Sequence, residues 1–456
     1  MKNTLLKNNF SRYLYSRLPQ QFYPGYYTYK KFRSLISATE KSSDAQINEF
    51  QYFHLKKIIN YTWSHVCGYR ELWEENNFNP EKLKSIEDIQ LIPFITKELL
   101  RDNLDKFTNK NLKSIKYCTT GGSTAIPFGF YEQRDNQYIE NAFIFDIWNR
   151  KNNKLKLNTL TTILRGAKID NGYHYNPRSG LILSSYDLNP DNVKLYIQQI
   201  EKYKTLFFQA YPSAIYLLAK IMQDNNLKLK HKFKSLMLGS EPLYEFQREL
   251  LNKIFNTAIS HWYGHAEKVV LAGNCEYNDY FHIFPQYGIT EILGSENQPV
   301  TDGNVGELVG TGFWNFATPF IRYRTKDFAE LAGKKCPQCH RNYRLLKKVD
   351  GRAQEFIISK SGKLISMTAI NMHDDIFDDL LQFRFYQDTR GVVAFQYVPK
   401  HPGKVRVERI YNGLKAKLTD FDLSLNQVTE IPRTGNGKLR FLDQKLSLQN
   451  WGFPLG

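Results

Sequence analysis

Over residues 48–77, aromatic and aliphatic side chains return at helical spacing through Phe53, Leu55, Ile58, Ile59, Trp63 and Val66, which predicts a long helical stretch with one buried face. Ser85 is placed to cap a short helix through Asp88 and Ile89, Pro93 to stop it, and Thr96 to cap another beginning near Lys97. Residues 136–148 repeat the helical pattern. The texture then changes. Short apolar runs at 160–164, 181–184 and 205–209 read as buried strands, separated by helical segments at 192–202 and 213–223. This alternation predicts an α/β architecture with largely parallel sheets. Residues 306–313 and 320–323 read as β-rich, and a lysine-dense segment over 333–349 leads into Asp350-Gly351-Arg352. A polar junction containing glycine is where a chain can pivot, so a domain boundary is expected there. The expected organisation is a large N-terminal domain of sheets flanked by helices (1–350) and a small mobile α+β C-terminal domain (351–456).

Composition narrows the class. With 42% hydrophobic and 23% charged residues, the 456-residue chain reads as an ordinary globular protein. No apolar run is long enough to span a bilayer, and Lys7, Arg12 and Arg17 interrupt any secretory core. Five cysteines in so long a chain argue against a disulfide framework, so a cytoplasmic location is expected. The net charge of +17 is uneven: residues 1–34 hold seven Lys or Arg and no acid, interleaved with aromatics such as Tyr13, Phe22, Tyr27, Tyr29 and Phe32. Such an arm can pack on the main domain, lie on an anionic membrane, or bind single-stranded nucleic acid. Packing ranks first and membrane contact second, and nucleic acid is left out as a partner.

Chemistry is concentrated in a few segments. Thr119-Thr120-Gly121-Gly122-Ser123-Thr124 precedes an apolar run from Phe128. Glycines let backbone N–H groups turn inward around phosphate oxygens, and the hydroxyls add donors. The Gly-Lys-Ser/Thr ending of a Walker A loop is missing, which excludes an ordinary P-loop reading. Gly239-Ser240-Glu241-Pro242 follows a strand-like run, as does Tyr263-Gly264-His265-Ala266-Glu267. Arg322-Tyr323-Arg324-Thr325-Lys326-Asp327 closes a β-rich stretch, and Pro432-Arg433-Thr434-Gly435-Asn436-Gly437-Lys438 is a Gly-rich turn presenting one lysine. Cys336-Pro337-Gln338-Cys339 has zinc-knuckle spacing, although a CxxC can also be a redox pair or two unrelated thiols.

In this order the segments resemble the adenylate-forming superfamily of acyl-CoA synthetases and peptide-synthetase adenylation domains. The resemblance covers nearly the whole chain. It is nearest the phenylacetate–CoA ligase-like branch and, within it, members associated with capsular polysaccharide synthesis; Ser85-Ile86-Glu87-Asp88-Ile89 with Ile92-Pro93-Phe94-Ile95-Thr96-Lys97 resembles that branch's N-terminal signature. The resemblance implies ATP and Mg2+ as cofactors and a carboxylate activated as its adenylate. Thr119 to Thr124 would hold phosphates and Glu267 would bind Mg2+. Tyr263 and Gly264 would meet adenine beside Ser240, Glu241 and Pro242, Asp327 would meet the ribose hydroxyls, Arg352 would contact the nucleotide, and Lys438 would reach the carboxylate and α-phosphate.

Several positions depart from the family pattern. Ala125 and Lys326 replace usual glycines, and Gln354 stands at the usual acidic hinge. Tyr287-Gly288-Ile289-Thr290-Glu291 also resembles the Mg2+-binding motif. Position favours Glu267, because it precedes the Gly273-Asn274-Cys275-Glu276 segment. The branch often carries a Cys, His, Cys, Cys set, which implies structural Zn2+ at Cys275, His282, Cys336 and Cys339, with His340 competing for the histidine place. Cys67 and Cys118 are expected to be packed thiols. His174, Tyr175, Tyr211 and His265 are candidate acyl-pocket residues. Acyl transfer to an amine in surface-polysaccharide assembly is the first expectation, a coenzyme A thioester the second, and a non-catalytic nucleotide-binding scaffold the third.

Overall fold

The computed structural model describes residues 18–119, 128–151, 154–167, 169–186, 188–352, 356–366, 370, 377, 379–433 and 439–446. The chain forms two compact bodies. The first comprises Gln20–Leu157 and His261–Val349, and the second Asn158–Ser260 and the segment from Asp350 together with the chain's first residues.

In the first body, α1 (Tyr26–Thr39) lays Tyr29, Phe32 and Ile36 inward. Phe32 packs edge-on against Trp314 and tilted against Phe143, and Arg33 pairs with Asp146 at 2.5 Å. Over this part the basic, aromatic arm therefore packs on its own body; Lys2 to Arg17 lie outside the described residues. The helical periodicity of 48–77 resolves into two helices, α2 (Asp44–His65) and α3 (Cys67–Glu75), broken where Val66 turns extended. Ser43 opens α2 with a capping box to Gln46. Ser85 does not cap as expected. The carboxylate of Asp88, in a 3-10 turn (Glu87–Leu91), instead accepts the N–H groups of Lys84 and Ser85. Thr96 caps α4 (Lys97–Asp102) through the Leu99 N–H. The hairpin β1 (Ile115–Thr119) and β2 (Gly129–Gln133) and the helix α5 (Asn136–Arg150) complete this first pass.

The second body begins with β3 (Thr161–Arg165), β4 (Tyr173–Asn176) and β5 (Gly180–Ser184). Next come α6 (Pro190–Tyr203), β6 (Phe207–Ala210), α7 (Pro212–Asp224), β7 (Ser235–Gly239) and α8 (Glu245–Phe255). The strand order is β4-β5-β3-β6-β7, with β5, β3, β6 and β7 mutually parallel and β4 antiparallel at the edge. All five residues of β5 and of β7 are buried, as a parallel strand covered on both faces requires.

The chain re-enters the first body within β8 (Ala258–Gly264) and continues through β9 (Leu271–Gly273), β10 (Phe281–Ile283), β11 (Gly288–Leu293), β12 (Val305–Gly312), β13 (Tyr323–Gly333) and β14 (Leu345–Arg352). Here the expectation of parallel sheets fails. The pairs β8–β9, β9–β10, β10–β14, β11–β12 and β12–β13 are all antiparallel; all but β10–β14 join consecutive strands whose short connections leave no room for crossover helices. Residues 320–322 precede the strand rather than forming it.

The segment from Asp350 carries two hairpins, β15 (Phe356–Ile358) with β16 (Leu364–Ser366) and β17 (Leu380–Thr389) with β18 (Val392–Pro399). Then come α9 (Val407–Lys417), β19 (Asp422–Gln427), parallel to β18, and β20 (Leu442–Gln444), parallel to β17. Phe383, Phe385, Phe395, Ile410 and Leu414 form its core. Phe246 of α8 packs against Phe377, Phe383 and Phe441, and Lys220 of α7 donates to the Phe377 carbonyl at 2.8 Å. This explains why the segment clusters with residues 158–260. Among the described residues no helix is long and apolar enough to cross a membrane.

His54 in α2 stacks on Phe313 and lies against Trp314. Burial, with Lys57 and Lys31 nearby, pushes its ionisation down to about 4. The unfolded chain therefore takes up a proton, between about pH 6.5 and 4, that the folded form refuses. This contribution to stability is complete above about pH 6.5 and is lost as the pH falls toward 4. His54→Phe is expected to flatten the acid limb of thermal stability measured over that range; an unchanged limb would assign the acid sensitivity to other groups.

Candidate active site and metal centre

The first body brings the Tyr263 and Asp327 segments together. Tyr263, near the end of β8, donates its hydroxyl to Asp327 Oδ2 at 2.7 Å. Burial and the Asp327 charge push Tyr263 ionisation well up, so it remains a donor. Gly264 follows where an added Cβ would come within 2.8 Å of the Trp262 ring. Glu267 is buried, with Oε1 accepting from the Tyr323 hydroxyl at 2.9 Å and Oε2 lying 3.6 Å from His265 Nδ1. Tyr323 is a residue that motif reading passed over, although it stands within a quoted motif.

Asp327 owes its place to a strained entry into β13. Lys326 sits at φ 60°, in the left-handed region that favours glycine, which costs about 1–2 kcal/mol. Its N–H donates to Glu307 Oε1 at 3.0 Å, and Glu307 is itself gripped by Arg324 at 2.7 and 2.9 Å. Arg322, also left-handed at φ 51°, chelates Glu291 through Nε and Nη2 and donates to the Gln90 and Ile92 carbonyls. Both oxygens of Glu291, the competing motif's acid, accept from this arginine.

Except for Thr119, which ends β1 in the first body, the second body positions the remaining described residues. Gly239 ends β7, Ser240 takes φ 66°, and Glu241 Oε2 accepts the Ser213 N–H at 2.9 Å at the start of α7. An anion there is favoured by the unpaired N–H groups of the helix. The Leu439 N–H, next after Lys438, donates to Ser213 Oγ at 3.3 Å. Burial lowers Arg433 ionisation, opposed by the Glu241 charge. Pro242 is partly exposed and Thr119 exposed. Thr120, Gly121, Gly122, Ser123, Thr124 and Lys438 lie outside the described residues, as does the Arg352 side chain. Of the acyl-pocket candidates, His174 is exposed, Tyr175 stacks on Tyr203 at 4.1 Å, and burial pushes Tyr211 ionisation up.

A second cluster in the first body has metal-centre geometry. Cys275, His282, Cys336 and Cys339 present ligand atoms all within 4.8 Å of one another. His282 Nδ1 meets the Tyr280 carbonyl at 2.9 Å, leaving Nε2 3.3 Å from Cys339 Sγ. This is how a ligating imidazole is oriented by its other nitrogen. The Cys339 N–H and Asn278 Nδ2 donate to Cys336 Sγ, and the Tyr277 N–H to Cys275 Sγ. Burial would push the Cys336 thiol up, but those donors hold it below its ordinary value; burial pushes Cys339 up to about 11 and His282 down to about 4. His340 is exposed and outside the cluster. Cys118 is partly buried, whereas Cys67 is exposed, contrary to expectation, because it stands at the first position of α3.

No family model matches the chain. Protein CapK of Staphylococcus aureus is 24% identical over 409 residues, covering 86% of this chain and 88% of that protein. The phenylacetate–coenzyme A ligase of Pseudomonas putida is 25% identical over 341 residues, covering 72% and 75%. Among solved structures, 2-hydroxyisobutyryl-CoA ligase in the postadenylation state superposes with a TM-score of 0.71 at 19% identity, covering 89% of this chain and 91% of that one. An open conformation of that ligase gives 0.59. In sequence the chain is thus similar to phenylacetate–coenzyme A ligases and to CapK, and its fold is like that of the solved 2-hydroxyisobutyryl-CoA ligase.

Proposed function

We propose that this enzyme activates a carboxylic acid with ATP and passes the acyl group to an acceptor in surface-polysaccharide assembly. A carboxylate oxygen bonds to the α-phosphorus, the bond from that phosphorus to the β-bridging oxygen breaks, and pyrophosphate leaves. The observation that carries the reading is the partly buried hydrogen bond from Tyr263 to Asp327, which joins a candidate adenine-stacking ring to a candidate ribose acceptor. Two anions must approach, so the barrier is largely electrostatic. Glu267 suits Mg2+: its Oε1 is fixed by Tyr323, and Oε2 has His265 no nearer than 3.6 Å. When bound, the ion would offset phosphate charge. Glu291, chelated by Arg322, is the poorer candidate. Thr119 to Thr124 and Arg352 would meet the phosphates and nucleotide, Ser240 to Pro242 would line the adenine side, and Lys438 would meet the carboxylate and α-phosphate.

Coenzyme A as acceptor is the second reading. It is favoured by relatives named phenylacetate–coenzyme A ligase and by a structural neighbour solved with CoA. ATP–pyrophosphate exchange against a panel of carboxylic acids tests the first step. Thioester formation as fast as adenylation would select the ligase reading. Lys438→Ala is expected to lower kcat for exchange roughly 100–1000-fold, as loss of a transition-state charge contact does, with nucleotide affinity little changed; near-normal exchange would remove the residue from the mechanism.

For the metal centre, three sulfurs and one imidazole suit zinc with no open position, hence a structural ion. One zinc per chain is expected by elemental analysis. Cys339→Ser is expected to lose it and to lower the melting temperature, since such ions are coupled to folding. Zinc-free native protein of undiminished stability would refute the assignment.

A further inference from the structure

Two elements of the first body, β2 and α5, converge on one ammonium group that no motif singles out. Lys268 follows Glu267 directly, at φ 57°, and its side chain is only 16% exposed. Its Nζ lies 2.9 Å from Glu132 Oε2 in β2 and 3.6 Å from Glu140 Oε2 in α5, and donates to the Ala266 carbonyl at 3.4 Å. Glu132 stands opposite Lys116 of β1 in the hairpin register. Its Oε1 takes Lys116 Nζ at 3.0 Å and the Cys118 thiol at 3.3 Å. Tyr287 buries its hydroxyl within the field of Glu140 and Glu132, without a hydrogen-bond partner among the described residues.

Packing alone does not explain such a group. Removing two carboxylates and an ammonium from water is costly, and apolar side chains of similar volume commonly serve stability as well or better. What the ion pairs supply is connection. In sequence β1 and β2 flank residues 120–127, and Lys268 ties β2, and β1 through the Glu132–Lys116 pair, to the turn that carries Glu267. Desolvation alone would push Glu132 up, yet the Lys268 charge holds it below its ordinary value; Glu140 is left pushed up by burial. Glu132 is thus the firm anchor and Glu140 the weaker one.

We propose that Lys268 is a positioning residue, coupling the Glu267 turn to the β1–β2 hairpin so that one Mg·ATP meets both together. This rests on the adenylation reading, and its test separates the two. In the full-length protein, Lys268→Met is expected to raise KM for Mg·ATP in pyrophosphate exchange by roughly 10–100-fold, the range found when outer groups that orient a metal site are lost. Lys268→Arg should restore most of it, and Glu140→Gln should give a smaller rise. A fall in kcat and melting temperature together, with KM unchanged, would make Lys268 merely structural and overturn the inference. Nucleotide binding is read independently by alkylation of Cys118, followed by peptide mass spectrometry. Mg·ATP should slow this alkylation in the wild type and fail to do so at the same concentration in Lys268→Met and, in part, in Glu140→Gln. Loss of protection supports the inference even where wild-type exchange fails and the adenylation reading falls; equal protection in all three proteins overturns it.

Discussion

The entry into β13 depends on two buried arginine–glutamate pairs, and the candidate active site depends on that entry. Arg322 with Glu291 and Arg324 with Glu307 fix a short segment in which two non-glycine residues hold left-handed backbone. Each such residue is strained by about 1–2 kcal/mol, and it persists because its neighbours over-determine it. Arg322 also holds the Gln90 and Ile92 carbonyls and lies over the Phe94 ring, so the N-terminal signature segment anchors this turn. Tyr323 and Asp327, which meet Glu267 and Tyr263, emerge from the same six residues. Breaking either pair would leave an uncompensated buried charge, a far larger penalty than the pair's own net worth.

The second body was legible in the sequence because its strands are buried on both faces. Uninterrupted apolar runs such as Leu181–Leu183 and Leu236–Leu238 can only be strands or buried helix, and their shortness decides between the two. The antiparallel sheet of the first body was less legible, since its pairing is set by register rather than by hydrophobic period. The break at Val66 was hidden for a related reason: the apolar face continues from Leu55, Ile58 and Ile59 to Tyr69 and Trp73, so periodicity alone reads through the extended residue.

The candidate site was legible in its motifs but not in its supports. Cys275, His282, Cys336 and Cys339 converge as their pattern implied, and the Tyr263 and Asp327 segments meet. Tyr323, Lys268, Glu132 and Glu140 gave no signal, because a single charged or aromatic residue has many uses and its partners lie far along the chain. The left-handed turns at Ser240, Lys268 and Arg322 were equally silent, since none is a glycine; only Lys326, standing where the resemblance expects glycine, gave a hint. Their strain is visible only in the backbone.

A chemical division separates the acids of the first body. Glu132, Glu140, Glu276, Glu291 and Glu307, which hold the fold, are each met by Lys or Arg. Glu267 and Asp327, the two we propose for the ion and the nucleotide, accept from the phenol hydroxyls of Tyr323 and Tyr263. A cation beside either would neutralise the charge that a divalent ion needs, or compete for the oxygens that ribose hydroxyls would meet. A neutral donor fixes the carboxylate and leaves its charge in place. Burial raises Tyr263 ionisation further, so this hydroxyl remains a neutral donor beside Asp327. Positioning and charge are thus supplied by different groups.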